Sequence, residues 1–158
     1  MNEFYFGLKN IEDIVKELYS AISFKQSSEI NLDRFKKLFK PDTRLIYFSK
    51  NSVEQLKLET FVIRLKEQID KGNIKSFYEY ELTKTIDEFG KIAHVFSTYE
   101  AKDSPESLKV LQRGINSIQM IFDDDRWWIT SLMWFNEDSK YEIPEKYLPI
   151  LKNAGNSK

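Results

Sequence analysis

The chain of 158 residues has no cysteine and a single histidine. Without thiols there is no disulfide framework, no thiolate metal site and no cysteine nucleophile. One histidine would need carboxylate help to hold a metal, and no local spacing supplies it, so neither metal nor cofactor is expected. Charge of one sign is missing too: 24 basic and 25 acidic side chains leave a net −1. That balance excludes a broadly electropositive nucleic-acid binder. No stretch approaches the ~18 apolar residues a membrane span requires. The most apolar part, Trp127 to Phe135, is interrupted by Thr130 and Ser131. The N-terminal MNEFYFGLKN lacks the basic region and apolar run of a secretory signal, so the expectation is a cytoplasmic protein with no membrane partner. There is no fixed-period repeat and no low-complexity block. No G-x-S-x-G occurs, and neither Ser20 nor Ser23 has a triad arrangement, which excludes serine hydrolysis. Asp123-Asp124-Asp125 lacks the spacing of a calcium loop and reads as a solvated turn.

What is present suits a folded core: 41% of residues are hydrophobic and 15% aromatic. The length fits one domain, set here at 1–140. A C-terminal extension follows over 141–158, with its last six residues expected to fray. Ile11, Ile14, Val15, Leu18, Tyr19 and Ile22 form one helical stripe behind the N-cap Asn10. Asn31 opens a second helix carrying Leu32, Phe35, Leu38 and Phe39, which Pro41 should stop. Thr43 to Ser49 reads as a short strand, and Ser52 with Gln55 as the capping box of a third helix closed by Lys71 and Gly72. Beyond Gly72 the period falls from 3.6 to 2. Strands are expected at Phe77 to Lys84, Lys91 to Glu100, Val110 to Phe122 and Arg126 to Asn136, with the first turn at Asp87-Glu88-Phe89-Gly90. The pattern predicts an α+β fold with helices on one side of a bent antiparallel sheet.

Alternation sorts the last two strands into faces. Gly114, Asn116, Ile118, Met120 and Phe122 oppose Arg113, Ile115, Ser117, Gln119 and Ile121. Trp128, Thr130, Leu132 and Trp134 oppose Trp127, Ile129, Ser131, Met133 and Phe135. Neither face of the final strand is polar, so a second surface should cover the face the helices leave. The chain's own tail or a second copy could supply it; the homodimer through the sheet is the expected partner.

Helix, helix, strand, helix, then GKIAHVFSTYE, RGINSIQMIF and DRWWITSLMWFNE resembles the nuclear transport factor 2-like superfamily, in its SnoaL-like (polyketide cyclase and ketosteroid isomerase-like) branch. The resemblance implies a conical barrel: a strongly bent antiparallel sheet wrapped around three N-terminal helices, with a pocket at the open end. It also implies that Trp128 and Trp134 look inward. Set against the isomerases of that superfamily, the oxyanion-hole tyrosine falls on Tyr19, the general-base aspartate near Tyr47 and the protonated aspartate near Ile118. Only the tyrosine is kept, so that proton transfer is not expected.

Tyr19, Tyr47, His94, Asn116, Trp128 and Trp134 are therefore the candidate ligand-binding residues. His94 could serve as pocket acid or base, but an interior or interface histidine is the commoner role. Asn116 lies in an apolar row, where an unpaired amide costs roughly 1–3 kcal/mol, so it must meet a ligand, the backbone or water. The tryptophans could wall a pocket or fill the core. Arg113 could anchor a carboxylate ligand, although an ion pair with an acid such as Glu100 is favoured. The leading expectation is a module binding a small, flat, partly apolar molecule, neutral or weakly acidic. The alternatives are an isomerase, cyclase or dehydratase using His94 and Tyr19, and a protein-interaction module using Trp127, Met133 and Phe135.

Overall fold

The computed structural model describes residues 8–26 and 28–151. Helix α1 (Ile11–Ile22) buries the stripe read from the sequence, and the Asn10 side chain caps it by accepting the Glu12 N–H at 2.8 Å. Helix α2 (Leu32–Lys36) starts at the Asn31 cap but ends before Pro41 is reached. Phe39 already belongs to strand β1 (Phe39–Phe48), which is longer than expected. Pro41 lies where the register of β1 shifts, between Phe39 and Arg44. A residue without an N–H is tolerated there because the ladder is already interrupted. The Thr43 hydroxyl fills the gap by donating to the Ile129 carbonyl at 2.9 Å.

The expected capping box is not one. Ser49 and Ser52 close a turn, Ser49 N–H to Ser52 carbonyl at 2.9 Å, and β2 (Val53–Lys57) returns antiparallel to β1. Cross-strand pairing with an aromatic, β-branched neighbour overrides the local cap signal. Helix α3 (Leu58–Asp70) then starts without a side-chain cap and closes at Lys71, with Gly72 at φ +74°.

Strands β3 (Tyr78–Phe89), β4 (Ile92–Lys102), β5 (Gln112–Asp123) and β6 (Arg126–Asn136) complete one sheet, ordered β2-β1-β6-β5-β4-β3. The β3–β4 hairpin runs beyond Lys84 to a turn at Gly90, φ +57°. The β5–β6 turn holds Asp124 and Asp125 at φ +47° and +61°, a backbone that short polar side chains tolerate. The architecture is the expected α+β one, with two refinements. The sheet curls around the helices without closing, and β1 joins β6 in parallel rather than antiparallel.

One irregularity decides which side chains look inward. Gln119 pairs with Ser131 but Met120 pairs with Ile129, so Thr130 is an extra residue in β6. A bulge of one residue reverses the alternation beyond it. Trp127 and Ile129 face the core before the bulge, and Leu132 and Trp134 face it afterwards.

The tail crosses the outer face of the sheet. Tyr147 accepts the Thr98 hydroxyl at 2.6 Å and stacks edge-on against Phe96, while Tyr141 meets Phe135. Glu137 receives the Ile143 N–H at 2.7 Å and the Arg113 guanidinium at 2.8 Å. Burial opposes the charge of Glu137, yet these two donors hold its carboxyl below the usual range. The tail thus supplies part of the second cover, while Phe48, Met133 and Phe135 remain partly exposed. The fraying expected over 153–158 lies outside the described residues. Among the described residues no helix is long and apolar enough to cross a membrane.

Candidate functional site

The three helices fill one end of the curl around Ile14, Phe35, Ile118, Met120 and Ile129. Towards the other end a cavity of about 180 Å³ remains. Its walls carry Phe24, Phe35, Phe61, Phe77, Tyr99 and Trp134, with aliphatic side chains between them. Leu18 and Ile22 reach it because they continue the α1 stripe, and Leu65 because it is one turn beyond Phe61 on α3. One wall is tied shut where Phe24 and Phe77 exchange backbone hydrogen bonds of 2.8 and 3.0 Å.

Among the described residues of this lining one bears a carboxyl group, Glu79 near the start of β3. Its backbone is fastened to α1: the Ser23 hydroxyl accepts the Glu79 N–H at 3.0 Å and donates to the Tyr19 carbonyl at 2.8 Å. Burial pushes the Glu79 carboxyl up to about 7, opposed by a hydrogen bond from the Asn116 side chain. The acid therefore exchanges its proton near neutral pH, in surroundings that favour the neutral form.

Behind it runs a directed hydrogen-bond row. Asn116 Nδ2 donates to Tyr19 Oη at 3.0 Å. Ser97 spends its proton on Glu81, so the 2.6 Å contact between Tyr19 and Ser97 must have tyrosine as donor. Glu81 is completed by Lys84 at 2.7 Å. Burial raises the Tyr19 phenol beyond the ordinary tyrosine range, against its hydrogen bonds with Ser97 and Asn116. It stays neutral and acts as a fixed spacer that points the Asn116 amide towards the cavity. Tyr99, also raised by burial and then by the charges of Glu79 and Tyr19, donates to Asn136 Oδ1 at 2.5 Å.

No protein-family model matches the chain, and no curated protein matches it. Solved structures do. A cystatin-like protein of unknown function from Nostoc punctiforme superposes with a TM-score of 0.64 at 12% identity, over 82% of this chain and 90% of that one. A nuclear transport factor 2-like protein of unknown function from Silicibacter pomeroyi gives 0.57 at 10% identity, over 80% and 92%. A protein from Kribbella flavida gives 0.64 at 8%, over 84% and 92%. The fold is nuclear transport factor 2-like.

Within this nuclear transport factor 2-like curl the sequence-derived candidates separate into two groups. Asn116 and Trp134 line the cavity, Tyr19 stands behind it as the acceptor of the Asn116 amide, and Tyr47 stacks on Trp134 with ring centres 5.1 Å apart. Trp128 does not join them. The Thr130 bulge puts it on the outer face, with the Arg126 guanidinium 3.6 Å from its ring centre and its Nε1–H donated to the Asp123 carbonyl. Strict alternation had grouped Trp128 with Trp134, and a bulge is what alternation omits. His94 is also outside: it lies on β4 opposite the inward Ala93, Val95 and Ser97, and contacts Ser117 Oγ at 3.0 Å. His94 and Tyr19 consequently do not share a cavity, because successive strand residues point to opposite faces. Ile118 is core, and Trp127 is buried against Phe122 rather than offered on an outer surface. Arg113 is ion-paired as favoured, but with Glu137; Glu100 is taken by the Tyr80 hydroxyl.

Glu79 is the site residue the sequence reading missed. A signal existed. In F-Y-E-Y-E the period of two puts Phe77, Glu79 and Glu81 on one face, so an acid follows an aromatic into whatever that face covers.

Proposed function

We propose that the chain is a small-molecule-binding module of the SnoaL-like branch, taking a compact, partly apolar ring compound into the cavity beside Glu79. The observation that carries this is an aromatic-walled space with a few polar side chains, Glu79, Asn116 and Gln112, the usual composition of a ligand pocket. The branch rests on the R-G-I-N-S-I-Q strand and the D-R-W-W-I return. An apolar cavity of roughly 150 Å³ takes up benzene, so the volume here suits one ring with a short substituent rather than a fused tetracycle. Thermal-shift titration with single-ring compounds tests it. Saturable stabilisation of about 1.4 kcal/mol at ten times Kd, roughly 3–6 °C, is expected, and Leu65→Trp, which fills the space, should abolish it. Equal shifts in the filled variant, or none with any compound, would refute the assignment.

A second reading, an enzyme of the isomerase, cyclase or dehydratase type, is favoured by one specific observation. A carboxyl that titrates near 7 inside an apolar cavity is matched to proton transfer at neutral pH. In that reading Glu79 replaces His94 as the acid or base, and Asn116 orients the substrate.

A further inference from the structure

The cavity lining has a charge imbalance. Among the described residues Glu79 is its one carboxyl group, and no lysine, arginine or histidine lies in the lining. The titratable groups facing Glu79 are Tyr19 from α1, Tyr99 from β4 and Glu81 from its own strand; Glu79 also borders a surface groove that carries Glu12, Asp13, Lys16 and Lys84. Of those bases Lys84 is held by Glu81. Asn116 gives Glu79 a hydrogen bond but no charge. A buried carboxylate without a counter-ion is unfavourable, and an occupant that brings one removes the penalty. The same walls present aromatic faces, which attract cations more strongly once water is displaced.

Resting on the binding reading above, we infer that the ligand is a small organic amine, bound as its ammonium ion between the Glu79 carboxylate and the ring faces of the cavity. The nitrogen donates to Glu79, its apolar body occupies the space between Phe61, Phe77 and Trp134, and Asn116 keeps the carboxylate in place. A carboxylic acid, which the sequence alone left open, is disfavoured because it would set two like charges together. A neutral alcohol fills the space but leaves the charge unpaired.

Binding is also linked to protons. Below pH 7 the free carboxyl carries a proton, and pairing with an ammonium ion expels it. Affinity for an amine should therefore rise with pH through 7 and level off until the amine itself loses its proton.

The test is calorimetry on the intact chain with phenethylamine, phenethyl alcohol and phenylacetate. At pH 8 the amine should bind at least ~10-fold tighter than the alcohol, with phenylacetate weakest, and Glu79→Gln should erase that preference, weakening the amine at least ~10-fold more than it changes the alcohol. In buffers of different ionisation enthalpy, amine binding should release about one proton at pH 6 and about none at pH 8. If alcohol and amine bind equally, and Glu79→Gln alters neither, the amine assignment is overturned while the binding module stands. If none of the three binds, and other single rings also fail, both readings fall.

Discussion

At pH 8 the Glu79→Gln variant is expected to melt roughly 4–8 °C above the unmodified chain, whereas at pH 4 the two should melt together. The sign follows from where the proton sits. In the unfolded chain Glu79 ionises near its ordinary 4.5, and in the folded chain burial delays this to about 7. Between those values the folded state holds more protons, so stability falls as pH rises and stays reduced above 7. The shift corresponds to about 2 kcal/mol once screening by water in the cavity is allowed for. Glutamine keeps the shape and an acceptor for Asn116 but cannot ionise, so the variant escapes the loss. Melting curves of both proteins across pH 4–8 give the comparison directly, since any other acid-sensitive group cancels. A constant difference at every pH would mean that the carboxyl is not where its surroundings hold it neutral. The tension is informative, because a charge kept at a loss of stability inside a cavity is better explained by what it binds than by folding.

The second large effect belongs to Gly114. A Cβ there would stand 2.4 Å from the Phe135 carbonyl oxygen, 2.4 Å from Tyr99 Oη and 2.8 Å from Tyr99 Cζ. The backbone of β6 cannot retreat without breaking its pairing with β5, and Tyr99 crosses above Gly114 to reach Asn136. Gly114→Ala should destabilise the chain by about 3 kcal/mol or more, measured by urea unfolding, at the upper end of overpacking effects. Adding Tyr99→Phe relieves the hydroxyl contact but not the carbonyl one, so the double variant should recover only part of the loss. A decrease below about 1 kcal/mol in the single variant would show that the strands are free to part at this point.

How much of this was legible beforehand depends on whether the deciding signal is local. The α1 stripe was readable because six apolar residues at helical spacing and an asparagine cap agree. The β5–β6 hairpin was readable from the acidic turn between two apolar runs. Residues 39–57 misled, because a proline and a serine–glutamine pair carry strong local meanings that pairing with β6 and β1 overrode. The candidate site divided along the same line. Tyr19 and Asn116 were placed by regular periods that the fold preserves. Trp128 was misplaced by a single extra residue, Thr130, which has no signature of its own in T-S-L-M-W. His94 drew attention for its chemistry rather than its position, and Glu79 escaped it because acids on a strand usually face water.

The claim on which everything else depends is that the Glu79 carboxyl lies within the aromatic cavity. A ¹³C NMR titration of the glutamate side-chain carboxyl carbons, with Glu79 identified by its absence in Glu79→Gln, measures this in one experiment. A midpoint about 7 is expected; a midpoint near the ordinary 4.5 would place the carboxyl in water and contradict the account.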